Sequence, residues 1–119
     1  FVDQKWLNFV PLFFKQVAIL NHPGCNLAYW NMHERSLAVK ENKFWVNEAF
    51  PLIFIHLSGF HPSEPSLLSR HQTRFDLKNF PAWQKICNIY ASELKRNNVD
   101  LFSTLASVYK KKKFLGIFK

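Results

Sequence analysis

The chain has 119 residues, enough for one domain with a real core, and its 48% hydrophobic content excludes a disordered polymer. No apolar run reaches the roughly 18 residues that a membrane span requires. The formal net charge of +8 is unevenly spread: residues 1–60 hold five basic and four acidic side chains, residues 61–119 eleven and four.

A basic second half points to an anionic partner, such as phosphate, nucleic acid or an acidic membrane surface, or to a solvated helical surface. Asp3 and Lys5 interrupt the start of the chain, so no secretory leader is expected, and Phe1 in place of Met suggests a piece of a longer protein. Cys25 and Cys87 have no CxxC spacing, which favours free thiols and a reducing, cytosolic compartment. Thirteen Phe and four Trp against three Gly suit a packed two-layer core and argue against a glycine-rich nucleotide loop.

In chain order, Asp3 is placed to cap a helix whose apolar positions are Trp6, Leu7, Val10, Phe13 and Phe14, with Val2 and Leu7 spaced for a hydrophobic staple. Pro11 should end or kink it, because proline lacks an N–H and clashes with the preceding turn. Gln16–Leu20 reads as a short strand closed by the turn Asn21-His-Pro-Gly24, and Cys25–Trp30 as a second strand-like segment followed by the polar connection Asn31–Arg35. Leu37–Val39 and Phe44–Val46 alternate in polarity about Lys40-Glu-Asn-Lys43, which predicts a hairpin.

Pro51-Leu-Ile-Phe-Ile-His-Leu-Ser-Gly-Phe60 predicts a central strand over residues 51–57, buried on both faces and carrying His56. A buried imidazole needs a partner, since an unpaired buried polar group costs roughly 1–3 kcal/mol. Ser58 and Gly59 then end the strand where open α/β sheets place ligands. After a loop marked by Pro62 and Pro65, the period changes. Trp83, Ile86, Cys87, Tyr90, Ala91 and Leu94 follow helical spacing from Pro81, and Asn97-Asn98 breaks that helix. Asp100 is placed to help cap a last helix with the apolar face Leu101, Phe102, Leu105, Val108 and Tyr109, ended by the cations Lys110–Lys113. The expected fold is α+β: a small mixed or antiparallel sheet, an N-terminal helix and C-terminal helices, with a sheet region over 1–75 and a basic helical region over 76–119.

Three segments in this order resemble one family: Phe1-Val-Asp-Gln-Lys-Trp-Leu-Asn8, His22-Pro-Gly-Cys-Asn-Leu-Ala-Tyr-Trp-Asn31 and Phe54-Ile-His-Leu-Ser-Gly-Phe60. They are similar to the C-terminal half of bacterial nucleotide-sugar glycosyltransferases of the GT-A type, of capsule or lipopolysaccharide assembly. The likeness covers about residues 1–75. It implies that Asp3 and Gln4 contact the transferring sugar, where a carboxylate steadies an oxocarbenium-like centre or takes the acceptor proton and an amide orients hydroxyls. Asp3 as a plain N-cap is the alternative, compatible with the first.

The resemblance makes His56 the histidine of a His-x-x-Gly motif that binds Mn²⁺ or Mg²⁺, or the nucleotide diphosphate, with Gly59 letting backbone N–H groups reach phosphate. The alternative is a core histidine bonded to a carbonyl. Phe60-His-Pro follows the glycine where Lys-Pro-Trp is expected, so Arg70, His71 or Arg74 would have to supply the phosphate cation. Asn26 and Asn31 would lie at the sugar cleft with Ser58, whereas Tyr29 and Trp30 are read as core. An Asp-x-Asp pair is absent from the chain, which predicts weak metal binding and no activity for this piece alone.

The function so implied is transfer of a hexose from a nucleotide sugar to a surface-polysaccharide or lipid-linked glycan acceptor, in the cytoplasm. Lys110-Lys-Lys-Lys-Phe-Leu-Gly-Ile-Phe118 would touch the inner, anionic face of the membrane, or simply complement a helix end. The competing reading is a basic binding module for nucleic acid or another anionic polymer. It would use Arg70, Arg74, Lys78, Lys85, Lys95, Arg96 and the lysine run, with aromatics for stacking. Those aromatics fall on apolar helical faces and are expected to be buried, and no RRM, KH or zinc signature accompanies them, so specific nucleic-acid recognition is not expected. A third reading is a structural domain that completes a larger enzyme.

Overall fold

The computed structural model describes residues 4–106. The Asp3 cap, the Val2 staple, Val108, Tyr109 and the lysine run lie outside the described residues. The fold is α+β, and the chain divides into two compact units, the first ending at His56 and the second beginning at Leu57.

In the first unit the predicted N-terminal helix is two short ones, α1 (Gln4–Leu7) and α2 (Val10–Phe13), separated by Asn8-Phe9. Pro11 explains the break: its ring clashes with the carbonyl four residues back, that of Leu7, and Pro11 instead occupies the first turn of α2. The expected strand Gln16–Leu20 does not form, because no neighbouring segment offers it a ladder and its residues are all exposed.

The hairpin forms as predicted, with β1 (Leu37–Lys40) and β2 (Lys43–Val46) antiparallel and Leu37 opposite Val46. Glu41 and Asn42 both have positive φ, 50° and 61°, the backbone of a two-residue turn that matches strand twist. A second turn with Asn47 and Glu48 at positive φ brings β3 (Phe50–Pro51) back onto β2, in the order β1-β2-β3. Asn47 Oδ1 accepts from Ser36 N–H at 2.8 Å and ties that turn to the start of β1.

The predicted central strand is corrected here. Regular pairing with β2 ends at Pro51; beyond it Leu52 N–H still reaches the Phe44 carbonyl at 2.9 Å, and the chain then turns to a different partner. Ile53 N–H donates to the Gly24 carbonyl at 2.8 Å, and His56 N–H donates to that of Leu27 at 2.7 Å, with one parallel bridge between Leu27 and Ile55. The run is extended but uncovered: Ile53 is 57% exposed and Phe54 50%. Burial on both faces needs a layer above and below, and the described part of this unit supplies too little chain for that.

The buried side of the first unit is Cys25, Leu27, Ala28, Asn31, Met32 and Val46. In the second unit a long loop leads through a short 3₁₀ turn (Leu77–Asn79), capped by Asp76 Oδ1 accepting from Lys78 N–H at 3.0 Å, into α3 (Pro81–Arg96). The helix forms as the sequence predicts, and Trp83, Cys87 and Ala91 are buried along α3 with Leu68 and Leu77, whereas Tyr90 of the expected apolar face is exposed. Gln84 Nε2 donates to the Pro65 carbonyl at 3.1 Å, and Phe60 packs 5.5 Å from Tyr90, so the loop is pinned to the helix. Asn98, at φ 57°, takes the left-handed conformation that ends α3 and starts α4 (Val99–Thr104); the side chain of Asp100 sits in the first turn of α4 and not at its cap. Burial of the aromatics is the other correction: Trp6, Phe13, Phe14 and Phe102 are between 63% and 77% exposed. Their helices are too short to bring a second layer over that face.

Both cysteines are free and buried. Burial pushes the Cys87 thiol up from 9.0 to about 11 by disfavouring the thiolate. An unfolded thiol ionises first, so this contribution to stability is complete below pH 9.0 and is lost as pH rises toward 11. The urea midpoint of the native chain should therefore fall more steeply over that interval than that of Cys87→Ala, whose side chain has nothing to ionise. Parallel pH profiles of the two proteins would remove the effect from consideration.

Candidate functional site

The candidate surface in the first unit is built on the turn at Gly24. A Cβ on Gly24 would lie 2.0 Å from the Pro51 carbonyl oxygen, so only glycine allows the two backbones to approach this closely. His22 Nδ1 accepts from Gly24 N–H at 3.1 Å and its ring meets Phe50 edge-on at 5.5 Å, which fixes the turn from the other side. Arg35 Nη1 donates to the carbonyls of Cys25 at 2.8 Å and Pro23 at 3.3 Å. The residues 24–27 are thereby held straight against Ile53–His56.

Past Leu27 the chain curls into a 3₁₀ turn, Tyr29–Asn31. Asn31 holds the curl: Oδ1 accepts from Ala28 N–H and Nδ2 donates to the Asn26 carbonyl, both at 2.9 Å. It is buried, and both ends of its amide are spent on its own loop in place of a sugar hydroxyl. Asn26 is exposed in the left-handed conformation at φ 55°, which an asparagine tolerates better than most residues.

These supports carry a row of rings. Tyr29 and Trp30 meet edge to face at 5.1 Å, and Trp30 and His56 at 5.0 Å with an interplanar angle of 81°. Trp30 is 40% exposed, which corrects its reading as core. His56 is exposed as well, so it is not a histidine sealed in the interior, and its ring is held by contact with the indole and not by a carbonyl. Asp3 lies outside the described residues, and Gln4 opens α1.

The remaining sequence candidates belong to the second unit. Gly59 has φ +73°, and a Cβ there would lie 2.5 Å from Ser69 Oγ and 2.6 Å from His71 Cδ2. The space beside this glycine is filled by its own chain, Arg70 N–H donating to the Gly59 carbonyl at 3.0 Å. Ser58 is half-buried next to it. Arg70 pairs with Glu64 at 2.7 Å, and the guanidinium of Arg74 lies 5.0 Å over the Phe75 ring. An open groove of about 570 Å³ runs along α3 past Gln84, Asn88 and Ile89, and none of the candidate site residues lines it.

The implied divalent metal does not fit the described residues as a site of their own: no group of three His, Cys, Asp or Glu among them is arranged to hold an ion. His56 would bring one nitrogen to a centre completed by other ligands. Among the described residues no helix is long and apolar enough to cross a membrane. In the sequence Arg35 reads only as part of a polar connection; its carbonyl partners are set by tertiary structure and leave no local signal.

Two proteins of Bacillus subtilis (strain 168) are similar to this chain. It is 32% identical over 60 residues to the uncharacterized protein YfnF, covering 50% of this chain and 20% of that protein. It is 36% identical over 58 residues to the uncharacterized protein YfnD, covering 49% and 18%. The matched region thus spans about a fifth of the length of these curated relatives. No protein-family model matches the chain, and no solved structure does.

Proposed function

We propose that the chain is the acceptor-side, C-terminal portion of a bacterial nucleotide-sugar glycosyltransferase of the GT-A type, moving a hexose onto a surface-polysaccharide or lipid-linked glycan. The observation that carries this reading is the exposed His56 ring held edge-on by a part-exposed Trp30. A neutral imidazole offers a nitrogen to phosphate or to a hydroxyl, while the indole offers an apolar face to the C–H side of a pyranose. The clamps at Asn31 and Arg35 lower the mobility of both rings, which positioning of a sugar requires. Asp3 and Gln4 supply the carboxylate and amide nearest the reacting centre, on the cytoplasmic side where the lysine run can rest on anionic headgroups.

A general polyanion binder is less well supported. Arg70, Lys78 and Arg96 each lie against a carboxylate of their own unit, from Glu64, Asp76 and Glu93, which reduces the positive field that such a partner would meet.

The test is made in the polypeptide of the complete reading frame, with Mn²⁺ present, by following nucleoside diphosphate release from a panel of nucleotide sugars. His56→Ala should lower turnover by about 100-fold with an unchanged melting temperature, the scale of a lost positioning or proton-transfer group. Unfolding of the variant would return His56 to a structural role. Undiminished turnover would remove it from the site.

A further inference from the structure

The turn from His22 to Cys25 is closed by Cys25 N–H donating to the His22 carbonyl at 2.9 Å, with Pro23 and Gly24 as its central residues. Proline followed by glycine in those places favours a type II turn, in which the glycine has positive φ. This turn takes the other form. Among the described glycines only Gly59 has positive φ, so Gly24 has the backbone of type I. The two forms differ by reversal of the peptide between Pro23 and Gly24, and here that peptide is held at both ends. Its carbonyl accepts from Arg35 Nη1 at 3.3 Å, and its N–H donates to His22 Nδ1 at 3.1 Å. Reversal would aim an oxygen at Nδ1 and an N–H at the guanidinium, and neither bond would survive.

We propose that His22 is a positioning residue for the sugar site, selecting the type I turn and so fixing where His56 stands; its effect on transfer rests on the transferase reading. Gly24 passes the constraint on, because its carbonyl accepts from Ile53 N–H at 2.8 Å and from Phe54 N–H at 3.2 Å. Just beyond, His56 N–H donates to the Leu27 carbonyl at 2.7 Å, and the His56 ring meets Trp30 at 5.0 Å. A new φ at Gly24 is not absorbed locally, since the backbone there is so close to Pro51 that a Cβ would lie 2.0 Å from its carbonyl oxygen. Phe50, edge-on to the imidazole at 5.5 Å, keeps Nδ1 turned toward the peptide. Every one of these contacts lies within the first unit.

The test uses the polypeptide of the complete reading frame with isotope-labelled histidines, read by NMR at alkaline pH, where imidazoles are neutral. In the native protein His22 should carry its proton on Nε2, leaving Nδ1 to accept; a proton on Nδ1 would overturn the inference whether or not any variant folds. His22→Phe keeps a ring against Phe50 and removes the acceptor. It should move the His56 Cε1–H resonance, which senses the Trp30 ring, and lower kcat/KM about tenfold. His22→Asn supplies an acceptor from the same place in the turn, so it should return the resonance to its native position and the rate to within about twofold. A resonance unmoved by His22→Phe, or His22→Asn no better than His22→Phe, would overturn the inference. A resonance that moves and returns in this way, in a protein that transfers no sugar, would keep the hold on His56 and refute the transferase reading. Transfer that His22→Phe leaves unchanged would do the reverse.

Discussion

Gly24→Ala should destabilise the first unit by about 3 kcal/mol, the upper end of what overpacking usually costs. The new methyl group would sit 2.0 Å from the Pro51 carbonyl oxygen, and a backbone oxygen cannot rotate away as a side chain can. Relief requires the Gly24 turn and the Pro51 strand end to separate. That movement would break the bonds from Ile53 and Phe54 N–H to the Gly24 carbonyl and slacken the segment that carries His56. Chemical denaturation should therefore show a lower midpoint. If the proposed transferase reading holds, turnover should also fall under conditions where the variant remains folded. A variant as stable as the native chain would mean that the two backbones do not approach as closely as described.

Trp83→Ala should cost about 4 kcal/mol, through lost burial of a large ring and the cavity it leaves. Trp83 is 2% exposed on α3, in line with buried Cys87 and Ala91. A folding unit of this size holds only roughly 3–9 kcal/mol in total, so the substitution should remove most of its cooperativity. Trp83→Phe keeps most of the apolar area and should cost less than half as much. Equal losses from the two substitutions would show that ring volume is not what this position contributes.

The contrast between α3 and the predicted central strand shows where local pattern suffices. Along α3 the spacing of Trp83, Cys87 and Ala91 defines one face, Pro81 starts it and Asn97-Asn98 ends it, so every signal needed is within eighteen residues. The hairpin was legible for the same reason, its turn residues being adjacent to the strands they join. The run 51–57 carries a strong apolar signal, yet its burial depends on layers that other segments must provide. Among the described residues of the first unit no such layers are supplied, and Ile53 and Phe54 stand exposed.

The site divides in the same way. In the sequence His56 is conspicuous as a candidate because it is a histidine in an apolar run, and Gly59 because it is a glycine after a predicted strand. Nothing local could reveal that Gly59 faces Ser69 and His71, that Arg35 reaches back across ten residues to the Cys25 carbonyl, or that Asn31 spends its amide on Asn26 and Ala28.

By itself the sequence determined the α+β class, the helix from Pro81 and the hairpin about Glu41-Asn42, and it set out the candidate site residues, because each follows from signals within one segment. Only the tertiary structure decided which of those residues face outward. Exposure is a property of what the rest of the chain lays over a residue, and this is why the ring pair of Trp30 and His56 emerged from coordinates and not from pattern.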